Sequence, residues 1–176
     1  IFQNINNIWT QVGADIDGED QYDRASVVSL SNDGTIVAIG SVANDGSGKH
    51  SDENSGHVRV FKNINNSWTQ IGSDIDGNKG EGLGKSISIS NDGSIIAIGG
   101  AIGLSKRFVR IYKNINGRWN QLGSDIHPNN NSASWYFAES ISLSSDGLTI
   151  AIGGESNSQI NKYINNAWTE VNLNEN

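Results

Sequence analysis

Cysteine and methionine are both absent from the 176 residues, and there is a single proline. Without cysteine there is no disulfide, no thiolate zinc site and no cysteine nucleophile. Without methionine, Ile1 is not a translation start, so a processed or truncated chain is expected. Residues 1–20 show neither the basic leader nor the apolar stretch of a signal peptide, and any such signal is expected upstream of Ile1. Positive charge is scarce: 12 Lys and Arg stand against 19 Asp and Glu, a net charge of −7. That sign argues against nucleic acid or an anionic membrane surface as a partner. No apolar run approaches the roughly 18–20 residues that cross a bilayer, so membrane insertion is not expected. Hydrophobic residues nonetheless make up 35% of the chain, enough for a core.

What the chain has in abundance is self-similarity. Asn4-Ile5-Asn6-Asn7-Ile8-Trp9-Thr10-Gln11-Val12-Gly13 returns at Asn63–Gly72 and at Asn114–Gly123, and in worn form around Ile164–Thr169. Between these copies lies a second motif, Ser29-Leu30-Ser31-Asn32-Asp33-Gly34, repeated at Ser88–Gly93 and Ser142–Gly147. The tryptophans Trp9, Trp68, Trp119 and Trp168 are spaced by 59, 51 and 49 residues. Repeats of about 50 residues are the size of propeller blades.

Within a repeat the hydrophobic period is two. Ser86-Ile87-Ser88-Ile89-Ser90 alternates as a half-buried strand does, and Asn91-Asp92-Gly93 supplies a tight turn. Ile95-Ile96-Ala97-Ile98-Gly99-Gly100 is nearly continuous in apolar character, as a strand covered on both faces is. His57–Lys62 alternates again, Asn63–Asn66 turns, and Ser67–Ile75 completes a set of four strands, A to D. No helical stripe of ten residues or more is present. The prediction is an all-β propeller of four-stranded antiparallel blades, with a half-blade (strands C and D) at 1–17 and blades at 24–76, 83–126 and 137–172. Three and a half blades fall short of the four to eight that close a ring, so the visible blades are expected to be part of a larger ring, seven-bladed for example. The one tryptophan per repeat is expected to pack blade on blade, with glycan stacking as the competing role.

These motifs carry a family resemblance. Gly56-His57-Val58-Arg59-Val60-Phe61, Trp68-Thr69, Gly84–Ser90 and Ile96-Ala97-Ile98-Gly99-Gly100 resemble the FG-GAP repeat that builds the integrin α propeller. The resemblance covers nearly the whole chain. It implies a surface, virion or secreted setting and a role in binding or adhesion. The chain departs from that pattern in two ways. The namesake Phe-Gly pair is replaced by Arg24-Ala25, Leu83-Gly84 and Phe137-Ala138. The calcium loop between strands A and B is reduced to Asn32-Asp33-Gly34 and its equivalents, one carboxylate each, where calcium takes six to eight oxygens.

Candidate chemistry is sparse. The cluster Asp15, Asp17 and Asp20 offers a weak calcium possibility, but its spacing matches no EF-hand loop and a capped turn is the simpler reading. No other cofactor or metal is expected. His50, His57 and His127 fall in different blades and read as surface or turn residues. There is no Gly-x-Ser-x-Gly elbow and no strand-end carboxylate pair, so no catalytic residue is assigned and no enzyme is expected. Features outside the repeat carry the functional weight. They are the connection 41–56 and the segment 127–135, where Trp135 and Tyr136 form a candidate contact for protein or sugar. The expected function is a non-enzymatic platform for a protein or carbohydrate ligand. The alternatives are a structural component among neighbouring subunits and, third, an enzyme whose site needs blades upstream.

Overall fold

The computed structural model describes residues 1–19, 25–42, 54–103, 106–129, 136–155 and 158–171. Strands β1 (Phe2–Ile5) and β2 (Ile8–Gln11) form a lone hairpin. Strands β3 (Val27–Leu30), β4 (Ile36–Ser41), β5 (His57–Ile64) and β6 (Ser67–Gln70) pair in sequence order. The short β7 (Ile75–Asp76) continues the β6 edge and pairs with the start of β5. A second meander follows: β8 (Ser86–Ile89), β9 (Ile95–Ile102), β10 (Lys106–Ile115) and β11 (Arg118–Gln121). The third is β12 (Ser140–Leu143), β13 (Thr149–Gly153), β14 (Gln159–Ile164) and β15 (Ala167–Glu170). We call these the half-blade and blades 1 to 3. The all-β propeller architecture read from the repeats stands, and no α-helix occurs among the described residues.

The turns explain the register. Asn6-Asn7, Asn65-Asn66, Asn116-Gly117 and Asn165-Asn166 all take positive φ, the pair of left-handed residues that a two-residue hairpin with the native strand twist requires. Asn63 and Asn114 brace two of these turns by accepting from the backbone N–H three residues on, each at 2.9 Å. At the A–B turns one carboxylate organises the chain. Asp33 accepts from Ser31 Oγ at 2.8 Å, Thr35 N at 2.9 Å and Thr35 Oγ1 at 2.8 Å. Asp92 does the same for its own turn, and Asp146 accepts from Ser144 Oγ and Leu148 N, since Leu148 has no hydroxyl. The reduced calcium loop is thus an Asp-locked turn in which Oδ1 of the carboxylate is held by the turn itself.

Two cores lie between the blades. Ile96 and Ile98 point into the core shared with blade 1, beside Val58, Val60, Leu83 and Phe108. Ile95 and Ala97, on the other face of the same strand, enter the core shared with blade 3, beside Val109, Phe137 and Ile150. This is why β9 reads as an uninterrupted apolar run: both of its faces are covered. Leu83 and Phe137, in the first position of the altered Phe-Gly pair, are fully buried.

Hydrogen bonds also cross between blades. Trp68 Nε1 donates to the Val12 carbonyl at 2.8 Å, Trp119 Nε1 to Ile71 at 2.9 Å and Trp168 Nε1 to Leu122 at 2.7 Å. Each indole reaches one blade back, over a glycine at positive φ whose missing Cβ leaves room for the ring. Trp9, at the same position of the half-blade, is 69% exposed. Along the inner side, Asn32 N donates to Asn91 O and Asn91 N to Ser145 O, both at 3.1 Å, stitching successive A–B turns together.

Because neighbouring strands are antiparallel, the A–B and C–D turns share one edge of the blades. The B–C and D–A connections share the other. The first edge is nearly identical from repeat to repeat; the second varies in length and composition.

Candidate functional site

The variable edge holds a set of equivalent positions that the repeat lets one compare directly. Arg59, Arg110 and Gln159 each stand five residues before the isoleucine (Ile64, Ile115, Ile164) that ends its strand C. Asp15, Asp74 and Asp125 each stand six residues after a repeat tryptophan. In every one of these three a glutamine of strand D donates to the aspartate: Gln11 at 2.9 Å, Gln70 at 2.6 Å and Gln121 at 2.9 Å.

In blade 2 the arginine is fully engaged. Arg110 donates Nε and Nη2 to the two oxygens of Asp125, both at 2.8 Å, and Nη1 and Nη2 to Glu81 at 3.0 and 3.2 Å. The guanidinium also lies 4.8 Å from the centre of the Phe108 ring. Asn78 adds two more donors to Glu81, at 2.9 and 3.0 Å. Burial opposes ionisation of Glu81, but the bonds from Arg110 and Asn78 outweigh it and hold its pKa at about 2. The bond from Asp125, the strongest influence on Arg110, pushes the arginine further toward permanent charge.

In blade 1 the same position is arranged differently. Arg59 donates to the Asp17 carbonyl at 2.8 Å and lies 3.6 Å from Glu19. Two residues earlier in the strand, where blade 2 has Phe108, stands His57. It is 2% exposed, and its Nδ1 has no hydrogen-bond partner. One ring nitrogen of His57 and one oxygen each of Glu19 and Asp74 lie within 4.8 Å of one another. Asp76 is paired opposite His57 in the ladder. Burial, and then repulsion from Asp74, push its pKa up against the relief that His57 provides. A cavity of about 50 Å³ beside His57 is lined also by Ser41, whose Oγ is buried without a partner.

In blade 3 the charges give way to amides. Gln159 donates to Asn129 Oδ1 at 3.2 Å, and Asn129 donates in turn to Glu170. Gln159 Oε1 and Asn161 Oδ1 are buried and unpartnered. They line a cleft of about 360 Å³ with Asp125, His127, Asn129 and Trp168.

The structure disperses some residues singled out in the sequence and gathers others. Trp135, Asp20 and His50 lie outside the described residues. Tyr136 is 45% exposed, four residues before β12 of blade 3. Asp15 is taken up by Gln11, and Asp17 contributes its carbonyl. The carboxylates that come together are Glu19 and Asp74, from different repeats, around His57. His57 is buried, a correction to its reading as a surface or turn residue. Its alternating place on strand C, at the pleat position occupied by Phe108, was the signal for burial.

No family model and no curated protein sequence matches the chain, and the FG-GAP resemblance goes no further than the propeller fold. Solved structures do match. The chain superposes on a Niastella koreensis GH74 enzyme with a TM-score of 0.55 at 14% identity, over 93% of this chain and 25% of that one. It superposes on a candidate 6-phosphogluconolactonase of Bacteroides fragilis with a TM-score of 0.52 at 18% identity, over 82% of this chain and 37% of the other. A Bacteroides uniformis protein of the same description gives 0.51 at 17% identity, over 81% and 38%. The chain thus spans less than two-fifths of each of these proteins. At such identities the likeness shows the fold. It also corrects the expectation of a protein outside the enzymes, because the propellers that this chain resembles are described as enzymes.

Proposed function

We propose that this chain supplies part of the ligand-binding edge of a propeller, and that its ligand is a carbohydrate or a polar protein surface seated in the cleft of blade 3. One observation carries the reading: Gln159 Oε1 and Asn161 Oδ1 are buried acceptors without donors in a cleft of about 360 Å³. An unpaired buried acceptor costs about 1–3 kcal/mol, a cost that an incoming hydroxyl or amide N–H removes. Sugar hydroxyls have that chemistry, and the indole of Trp168 adds an aromatic surface to the same wall. Trp135 and Tyr136, on the connection into the same blade, are a further candidate contact for such a ligand.

The test is a glycan and peptide array probed with the full chain. Binders are expected, and Asn161→Leu, which keeps the branched shape of the side chain and removes the acceptor, is expected to weaken them by at least about tenfold. Tyr136→Ala is expected to reduce binding more modestly. An array without binders, or binders indifferent to Asn161→Leu, overturns the proposal.

A further inference from the structure

The geometry points to a divalent transition-metal site in blade 1, formed by Glu19, His57 and Asp74. Their donor atoms lie within 4.8 Å of one another, the one grouping of three such residues among those described. A cluster of this kind on a surface means little by itself. Here one member is an imidazole 2% exposed, with a nitrogen that finds no partner in the protein. Buried polar atoms are nearly always satisfied, so a buried imidazole with an orphan Nδ1 and two carboxylates near its ring points to a missing partner.

Blade 2 is the internal control. There the positions of His57 and Asp74 are held by Phe108 and Asp125, and Glu81 enters from the preceding connection as Glu19 does. Arg110 bridges both carboxylates, with a ring beneath it that has no donor atom. In blade 1 Arg59 is turned to the Asp17 carbonyl and the outer side of Glu19, and an imidazole replaces the phenyl ring. The change from Phe to His exchanges a guanidinium-bridged pair for a nitrogen–oxygen–oxygen donor set.

Glu19 and Asp74 set two carboxylates beside the imidazole, a donor set that suits a dication. The donor set selects within the dications. Calcium and magnesium take oxygen, whereas an imidazole with carboxylates suits zinc and its first-row neighbours. Zinc bonds of about 2.0–2.2 Å place tetrahedral neighbours about 3.5 Å apart, so the group must draw in by about 1 Å. Glu19, exposed on the D–A connection, is the residue able to move. Three protein ligands leave a fourth position for water, and a cavity of about 50 Å³ that also holds the unpartnered Ser41 Oγ borders the His57 ring.

The site is independent of the cleft proposed for ligand binding. The experiment is a calorimetric titration of the full chain with Zn²⁺, with the visible absorption of bound Co²⁺ reporting coordination by nitrogen and oxygen. One saturable Zn²⁺ per chain is expected. His57→Phe, which installs the residue that blade 2 carries, is expected to weaken binding on the order of 100-fold, since even the loss of an outer-shell partner costs about 10–100-fold. Glu19→Gln, at an exposed side chain that leaves folding intact, is expected to weaken it by about tenfold. His127→Ala is expected to leave it unchanged. Absence of saturable binding, equal binding by Glu19→Gln, or loss in His127→Ala overturns the assignment. A chain that binds array ligands but no Zn²⁺ overturns this inference alone.

Discussion

Blades 1 and 2 carry an arginine at the same place on strand C, and the two side chains keep different company. Arg110 sits between Glu81 and Asp125 with four hydrogen bonds to carboxylate oxygens, over a phenyl ring. Arg59 bonds a backbone carbonyl, lies looser beside Glu19, and has a buried imidazole as its strand neighbour. The backbone around both is the same ladder. The differences come from one substitution, Phe to His, and from the D–A connection. Glu81 follows Asp74 by seven residues, whereas Glu19 follows Asp15 by four. A repeat therefore conserves its scaffold through strand pattern and turns, while its chemistry is set where a connection changes length and delivers a carboxylate from a new direction.

The comparison breaks most visibly if the two arginines turn out to be equivalent. Arg110→Met strands two carboxylates at a buried position and is expected to cost about 3–5 kcal/mol in chemical denaturation, against about 1 kcal/mol or less for Arg59→Met. Similar costs at the two positions would mean that the blade 2 network contributes nothing special.

Acid provides a second, slightly smaller effect. Glu81 has its pKa held at about 2, below the ordinary glutamate value of 4.5. A depressed carboxylate stabilises the fold fully above its unfolded pKa and loses that contribution as pH falls. Stability is expected to drop by up to about 3 kcal/mol between about pH 5 and pH 2, a slope that Arg110→Met should flatten. A pH series of denaturation midpoints reads this directly.

The tryptophans sharpen the contrast between covered and uncovered repeats. Trp119→Phe removes the bond to Ile71 and leaves that carbonyl without its donor, for an expected loss of about 1–2 kcal/mol. Trp9→Phe, at a position 69% exposed, is expected to change the unfolding midpoint hardly at all. A small effect of opposite sign is expected for His57→Phe in metal-free buffer. Removing a buried unpartnered nitrogen is expected to raise stability by about 1 kcal/mol, partly offset by the larger ring. A large loss instead would show the imidazole to be a structural partner in its own right.

Much of the fold was legible because its causes are local. Alternation of Ser86-Ile87-Ser88-Ile89, the Asn-Asn turns and the Asp-Gly turns each act over a few residues, and each recurs. The doubly covered β9 was readable from its apolar run alone. The candidate sites were not readable in this way. Glu19, His57 and Asp74 are separated by 38 and 17 residues, and Gln159 meets Asn129 across 30. Nothing in their spacing advertises proximity, because the approach is made by blade stacking. His57 looked like a scattered histidine for that reason. The acidic run at Asp15–Asp20 drew attention by density, yet Asp15 is bound by its neighbouring glutamine and, among the described residues of the run, Glu19 alone joins the cluster.

The amino-acid sequence by itself determined the period, the four-strand unit, the hairpin turns and the faces that must be buried. These follow from steric limits on φ and from the two-residue period of a pleated strand, both of which act within a few residues. Only the tertiary structure decided which carboxylate meets which base, which acceptors are left unpaired, and which arginine is held between two carboxylates. Those outcomes depend on how one blade lies against the next, and electrostatic and hydrogen-bond partnerships form through space rather than along the chain.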